Sequence, residues 1–299
     1  MVNQILSFEE ILEREEYVLV DTSVSGSKEN SGWYRKFVYD ADSFSDIDEG
    51  VFRERIIGLD FFNSFLRNSN IYTSRGVSFE IENGRNMVQE KIRYLEDRAS
   101  EDSFLMEFSD RGVFRRRLRR KDHNSNGTEP PQKELLREIQ NLYHKAYVQS
   151  RRAVLETEEE NTYEYLENLV LKVTEHTNAK KDFGPRYGEF VREDKEDFHT
   201  DEQLVSLALY SSVMGNESCI ITRDSDFERI LNNTLSYLLH SDNHFSSDYL
   251  LKFFQENRIQ IFYPISHEEG KIVLDTSRPE SITRLPPEQI EKVNQALAA

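Results

Sequence analysis

Three short, mainly apolar runs constrain this chain most: YVLV at residues 17–20, which is continuous, SCIIT at 218–222 and IQIFY at 259–263. Each is too short for a helix and lacks the polar alternation of a strand with one wet face. Such runs suit strands buried on both sides, as in a parallel sheet covered by helices. A fourth segment, NIYTS at 70–74, reads as a further strand. Segments with helical spacing alternate with these strands, at 53–69, 200–215, 224–233 and 246–257. That rhythm predicts an α/β fold with a mainly parallel sheet. Ser7 and Glu10 form a capping box for a short helix before the first strand, and Thr200 with Gln203 repeats the pattern later.

Between the second and third strand candidates the character changes. Residues 85–199 are rich in charge and helical periodicity, most clearly at 86–98, 133–156 and 162–176, and no strand is expected there. The chain therefore divides into a core of 1–84 and 200–264, a helical insertion at 85–199 and a C-terminal extension at 265–299. A hydrophobic fraction of 37% with 31% charged residues fits a compact core carrying a polar helical addition. The single cysteine, Cys219, lies inside an apolar run and excludes an intrachain disulfide. It reads as a small buried hydrophobe. The N-terminal residues are too acidic for a signal peptide, and no stretch approaches the roughly 20 apolar residues of a membrane span. These features predict a cytoplasmic protein with no membrane partner.

Acidic residues fall where an α/β sheet places its ligand crevice. Asp21 ends the first apolar run, Glu80 follows the second strand, Asp201 opens a helix and Asp224 follows the third run. Carboxyl ends of parallel strands and the adjoining helix starts line one edge of such a sheet. Taken singly, Asp201 and Asp224 are ordinary helix-start residues that meet free N–H groups, and Glu80 is an ordinary solvated helix residue. Together the four would repel unless cations neutralised them. Oxygen-only ligands suit Mg2+ or Mn2+, and two such ions about 3.5–4 Å apart can activate water against a phosphodiester.

The segments VLVDTSV, TSRGVSFEI, TDEQLVSLAL and CIITRDSDF resemble, in order, the four acidic motifs of PIN-domain nucleases. The resemblance implies a three-layer α/β/α sandwich and Mg2+- or Mn2+-dependent cleavage of RNA, usually single-stranded. It casts Asp21, Glu80, Asp201 and Asp224 as catalytic, metal-binding acids. Asp226 joins them as a metal ligand acting through water, and Thr222, Ser23 and Glu82 are supporting residues. Glu82 competes with Glu80 for the second acid. IQIFYP is similar to the family's closing strand. A non-catalytic nucleic-acid-binding or assembly module on the same fold is the alternative. A haloacid-dehalogenase-like phosphatase would need an Asp where Ser23 stands. Further partners of such a protein are an inhibitor protein or a second copy of the chain.

A net charge of −17 repels nucleic acid at long range, so RNA must be held locally. The run RGVFRRRLRRK at 111–121 is the place for this, with Arg115, Arg116, Arg117, Arg119, Arg120 and Lys121 as the phosphate-binding candidates. HSDNH at 240–244 reads as a polar loop, and no P-loop or GxSxG elbow occurs. VLDTS at 273–277 echoes the segment around Asp21 and reads as the end of an edge strand or hairpin arm.

Overall fold

The structure, a computed structural model, describes residues 5–26, 41–46, 48–109, 131–177, 179, 199–241, 247–278 and 282–298. The chain forms two compact units. One comprises Met1–Val24, Ser64–Glu80 and Gln149–Ala299, the other Ser25–Asn63 and Ile81–Val148.

The first unit is built on a mixed six-stranded sheet. Its strands are β1 (Ile5–Ser7), β2 (Tyr17–Val20), β3 (Ile71–Tyr72), β4 (Ser218–Ile221), β5 (Ile259–Pro264) and β6 (Glu269–Asp275), in the order β1-β6-β5-β4-β2-β3. The pairs β2–β3, β2–β4 and β4–β5 are parallel, and β5–β6 and β1–β6 are antiparallel. These four strands read from the sequence thus form a parallel block, while β1 and β6, whose end VLDTS marks in the sequence, complete its other side. β1 has three residues, too few for alternation to register. β6 belongs to the segment expected to be an extension, and its pairing with both β5 and β1 makes that segment part of the sheet.

Val18, Leu19 and Val20 of β2 and Cys219, Ile220 and Ile221 of β4 are fully buried, as uninterrupted apolar strands require. Burial also pushes the Cys219 thiol well above its ordinary range, which leaves it inert. Helix α1 (Phe8–Arg14) starts on the expected capping box: the Glu10 N–H donates to Ser7 Oγ at 3.1 Å, and Glu10 Oε2 accepts from the Ser7 N–H at 2.8 Å. Phe8 meets Phe65 and Phe262 edge-on, each with ring centroids 5.2 Å apart.

Helix α2 (Glu49–Phe65) precedes β3, and α3 (Arg75–Ser109) follows it. The sequence suggests two helices in this stretch, separated at Gly84; the structure has one. Gly84 is tolerated mid-helix because a Cβ there would lie 2.6 Å from the Tyr143 ring. Tyr143 stands on α4 (Pro131–Arg152), and within the second unit its hydroxyl accepts from buried Arg55 at 2.5 Å. Leu136, Ile139 and Ala146 of α4 are buried in that unit's core, as are Phe52, Leu59 and Val88.

Helix α5 (Glu160–Thr177) packs in the first unit against α6 (Thr200–Val213) and α7 (Asp226–His240). The periodicity of α5 is legible in the sequence, but it says nothing about which core the helix joins. Helix α6 is buried almost all round, because it is enclosed by β2, β4, β5, α5 and α7. Helix α8 (Ser247–Glu256) leads into β5. Helix α9 (Pro287–Ala298) places Val293 in a core with Leu169, Val173, Tyr237 and Leu285. Among the described residues no helix is long and apolar enough to cross a membrane.

Candidate functional site

The parallel block has its topological reversal between β2 and β4. From β2 the chain moves to β3 on one side, then returns to form β4 on the other. In open α/β sheets the crevice lies at the carboxyl ends of the two strands flanking such a reversal. Val20 and Ile221 are in register there, so Asp21 and Thr222 emerge side by side. The Asp21 N–H donates to the Ile221 carbonyl at 3.1 Å, and the Thr222 N–H to that of Phe262 at 3.1 Å.

Asp21 is only 4% exposed. Its Oδ2 accepts from the Thr222 hydroxyl at 2.9 Å, from the Ser23 N–H at 3.2 Å and from the Ser23 hydroxyl. The network extends to the next loop. The Asp224 N–H donates to Thr222 Oγ1 at 2.9 Å, and the Arg223 N–H to Ser23 Oγ at 2.9 Å. The Asp226 N–H in turn donates to Asp224 Oδ1 at 2.9 Å, and the Tyr263 hydroxyl donates to the Asp224 carbonyl at 2.9 Å. Burial raises the Asp21 pKa above the ordinary carboxylate range; bonds from Ser23 and Thr222 offset this, and the charge of Asp224 adds to it.

Glu80 reaches the same group through Thr22. The Thr22 hydroxyl donates to Glu80 Oε2 and lies 3.3 Å from Asp21 Oδ1. A hydroxyl has one proton to give. It cannot serve both carboxylates at once, so Asp21 Oδ1 is poorly satisfied compared with Oδ2. Glu82, the competing acid, instead pairs with Arg85 at 3.4 Å.

Asp201 lies in the first turn of α6. That turn is locked to α3, since the Gly76 N–H donates to Gln203 Oε1 at 2.9 Å and a Cβ at Gly76 would lie 2.7 Å from Thr200 Oγ1. The expected capping box at Thr200 and Gln203 is therefore not made. Gln203 takes a tertiary partner, and the cap position is held by His199 in the left-handed region at φ 47°. Asp226 is buried and forms an ion pair with Arg229. His240 Nδ1 is 2.8 Å from the Ser236 carbonyl oxygen. His244 lies outside the described residues, as do Arg115, Arg116, Arg117, Arg119, Arg120 and Lys121.

The donors gathered here are all oxygens, and the charge of one carboxylate, Asp224, bears on the other, Asp21. Among the described residues no group of three or more His, Cys, Asp or Glu side chains comes together to hold a metal ion. That arrangement does not suit Zn2+ or a caged Ca2+. Mg2+ keeps several waters and binds through one or two carboxylates plus substrate phosphate, and Asp21 and Asp224 are the carboxylates of this edge that could serve one.

Sequence reasoning misses the bridging role of Thr22 and the hydroxyl of Tyr263. Thr22 is visible there only as one of two hydroxyls after Asp21, and nothing local marks its reach to a residue 58 positions away. No protein-family model, curated protein or solved structure matches this chain.

Proposed function

We propose that the chain is a PIN-like, metal-dependent endoribonuclease that hydrolyses phosphodiesters of single-stranded RNA. The observation that carries this reading is the pairing of buried Asp21 with Thr222 and Asp224 at the sheet's reversal point. A cap or a solvated acid needs no such support: here three donors converge on one Asp21 oxygen, and a like charge stands nearby.

A bound Mg2+ or Mn2+ would neutralise these acids and stabilise charge developing on the phosphate. The chain's own residues fix the geometry. Ser23 and Thr222 hold Asp21 through Oδ2. The Asp226 N–H holds Asp224 by one oxygen. Thr22, next to Asp21, donates to Glu80 and so holds the acid on α3 near the end of β2. Water adds to phosphorus, and the ester oxygen leaves with a proton. Asp201, at the start of α6, is a further acid for the same edge.

The second reading is a non-catalytic nucleic-acid-binding or assembly module on the same fold. Labelled single- and double-stranded RNA and DNA, incubated with Mn2+, Mg2+ or chelator, separate the two. The nuclease reading expects cuts in single-stranded RNA with either metal and none with chelator. Asp21→Asn should lower the rate about a hundredfold or more. Binding without metal-dependent cleavage would favour the module instead.

A further inference from the structure

Asp224 belongs to neither β4 nor α7, which end at Ile221 and begin at Asp226. No ladder or helix holds it, so hydrogen bonds set its place. Its N–H donates to Thr222 Oγ1 at 2.9 Å, and its Oδ1 accepts from the Asp226 N–H at 2.9 Å. Both partners are local. A further bond crosses to the neighbouring strand: the Tyr263 hydroxyl, 39 positions along the chain on β5, donates to the Asp224 carbonyl at 2.9 Å. The half-buried Tyr263 ring stands on a backbone fixed from both sides. Ile221 of β4 is in register with Phe262, and the Thr222 N–H donates to the Phe262 carbonyl at 3.1 Å. On the other side Tyr263 is in register with Lys271 of β6.

Bonds within a loop fix its shape, and a bond to another element fixes where that shape sits. The Arg223 N–H anchors the start of this loop on Ser23 Oγ at 2.9 Å, and Tyr263 anchors it at Asp224 itself. Without the phenol hydroxyl the peptide after Asp224 is released, and the Asp226 N–H that holds Oδ1 moves with it. The acid then loses its place relative to Asp21, whose Oδ2 shares the Thr222 hydroxyl with this loop. Groups that orient a metal ligand without touching the metal change its affinity about 10–100-fold when removed. We propose that Tyr263 is a positioning residue for a divalent cation, its hydroxyl keeping the Asp224 carboxylate at the edge that carries Asp21. This rests on the nuclease reading, which supplies the metal. Tyr263 acts on the placement of a ligand and not on bond breaking, and its own strand is rigid enough to serve as the reference.

The test uses the full chain and the variants Tyr263→Phe and Tyr237→Phe, each lacking one hydroxyl. Tyr237 is the control, since its hydroxyl donates to Asn294 at 2.6 Å in the core beneath α9, away from the acids. Mn2+ affinity is measured by calorimetric titration, which needs no substrate. Cleavage of a 5′-labelled single-stranded oligoribonucleotide is followed across Mn2+ concentrations, and its binding is measured in chelator. Tyr263→Phe should weaken Mn2+ binding about tenfold and shift half-maximal cleavage to about tenfold more Mn2+. RNA binding in chelator should not change. Tyr237→Phe should lower the metal-free melting temperature and leave Mn2+ affinity alone. A Tyr263→Phe protein that behaves as the control does, less stable with unchanged Mn2+ affinity and half-maximal Mn2+, overturns the positioning role and leaves the nuclease reading standing. Mn2+ binding that needs Tyr263, without cleavage by the wild type, overturns the nuclease reading and supports the positioning role. A wild type that neither binds Mn2+ nor cuts overturns both.

Discussion

Glu15 precedes β2, at the end of the parallel block opposite Asp21. Its buried side chain pairs with Arg258 at 2.8 Å, and Arg258 also pairs with Glu217 at 3.0 Å. Burial outweighs the attraction of Arg258 and, with Glu217 and Asp275 adding to it, pushes the Glu15 carboxyl up to about 7. The unfolded chain titrates this group near 4.5. Between those values the folded state holds a proton that the unfolded state has lost. Stability from this group therefore falls as pH rises through the window, by at most about 3 kcal/mol. Urea melts at pH 5 and pH 8 should show a larger loss for the wild type than for Glu15→Gln; equal losses would refute the assignment.

The same scale shows why one Asp is a candidate and its echo is not. Asp275 in VLDTS accepts from the Ser277 N–H at 3.0 Å and from the Ser277 hydroxyl at 2.6 Å, much as Asp21 accepts from Ser23. The local turn is shared. Gln260, however, donates to the other Asp275 oxygen at 2.7 Å, and β6 runs antiparallel to β5. Asp275 therefore ends at the wrong edge with both oxygens satisfied. The sequence suggests an edge strand or hairpin arm there, and β6 is the second arm of a hairpin with β5.

At the scale of elements, what is legible in the sequence follows from local pattern. Mainly apolar runs mark β2, β4 and β5, and helical spacing marks α4, α5, α6 and α7. What is not legible depends on partners far along the chain. Gln203 looks like half of a capping box until Gly76, 127 positions away, offers its N–H. Asp21, Thr222 and Asp224 can be read from strand ends, whereas the link from Thr22 to Glu80 and that from Tyr263 to Asp224 need the packed structure. The Gly76 approach predicts that Gly76→Ala lowers stability by about 1–3 kcal/mol, although alanine favours helices, because its Cβ would lie 2.7 Å from Thr200 Oγ1. It should also reduce cleavage by displacing Glu80. Denaturant melts and turnover of this variant check both, and a more stable, fully active protein would contradict the packing account.

For the whole molecule, a net charge of −17 sets the terms of any encounter with a polyanion. Long-range attraction is absent, and local cations must hold the substrate. Residues 111–121 carry the densest cationic run in the sequence. Replacing Arg116, Arg117, Arg119 and Arg120 with Ala should weaken single-stranded RNA binding and flatten its salt dependence, by about 0.7 per phosphate released. The stabilisation by Mn2+ should persist, since the acids are untouched and a ligand of the folded site raises the melting temperature. Filter binding at two salt concentrations decides, and an unchanged slope would remove the run from the substrate path.

The sheet is completed late. β1 pairs with β6, and Asp21 meets Thr222 from 201 positions further along the chain. On a ribosome adding roughly 5–20 residues per second, the first acid waits about 10–40 s for the strand that completes its surroundings. Until then the N-terminal segment has no crevice. For the nuclease proposed above, latency during synthesis follows from the order of the strands, and a nascent chain halted before β4 should leave RNA intact even in Mn2+.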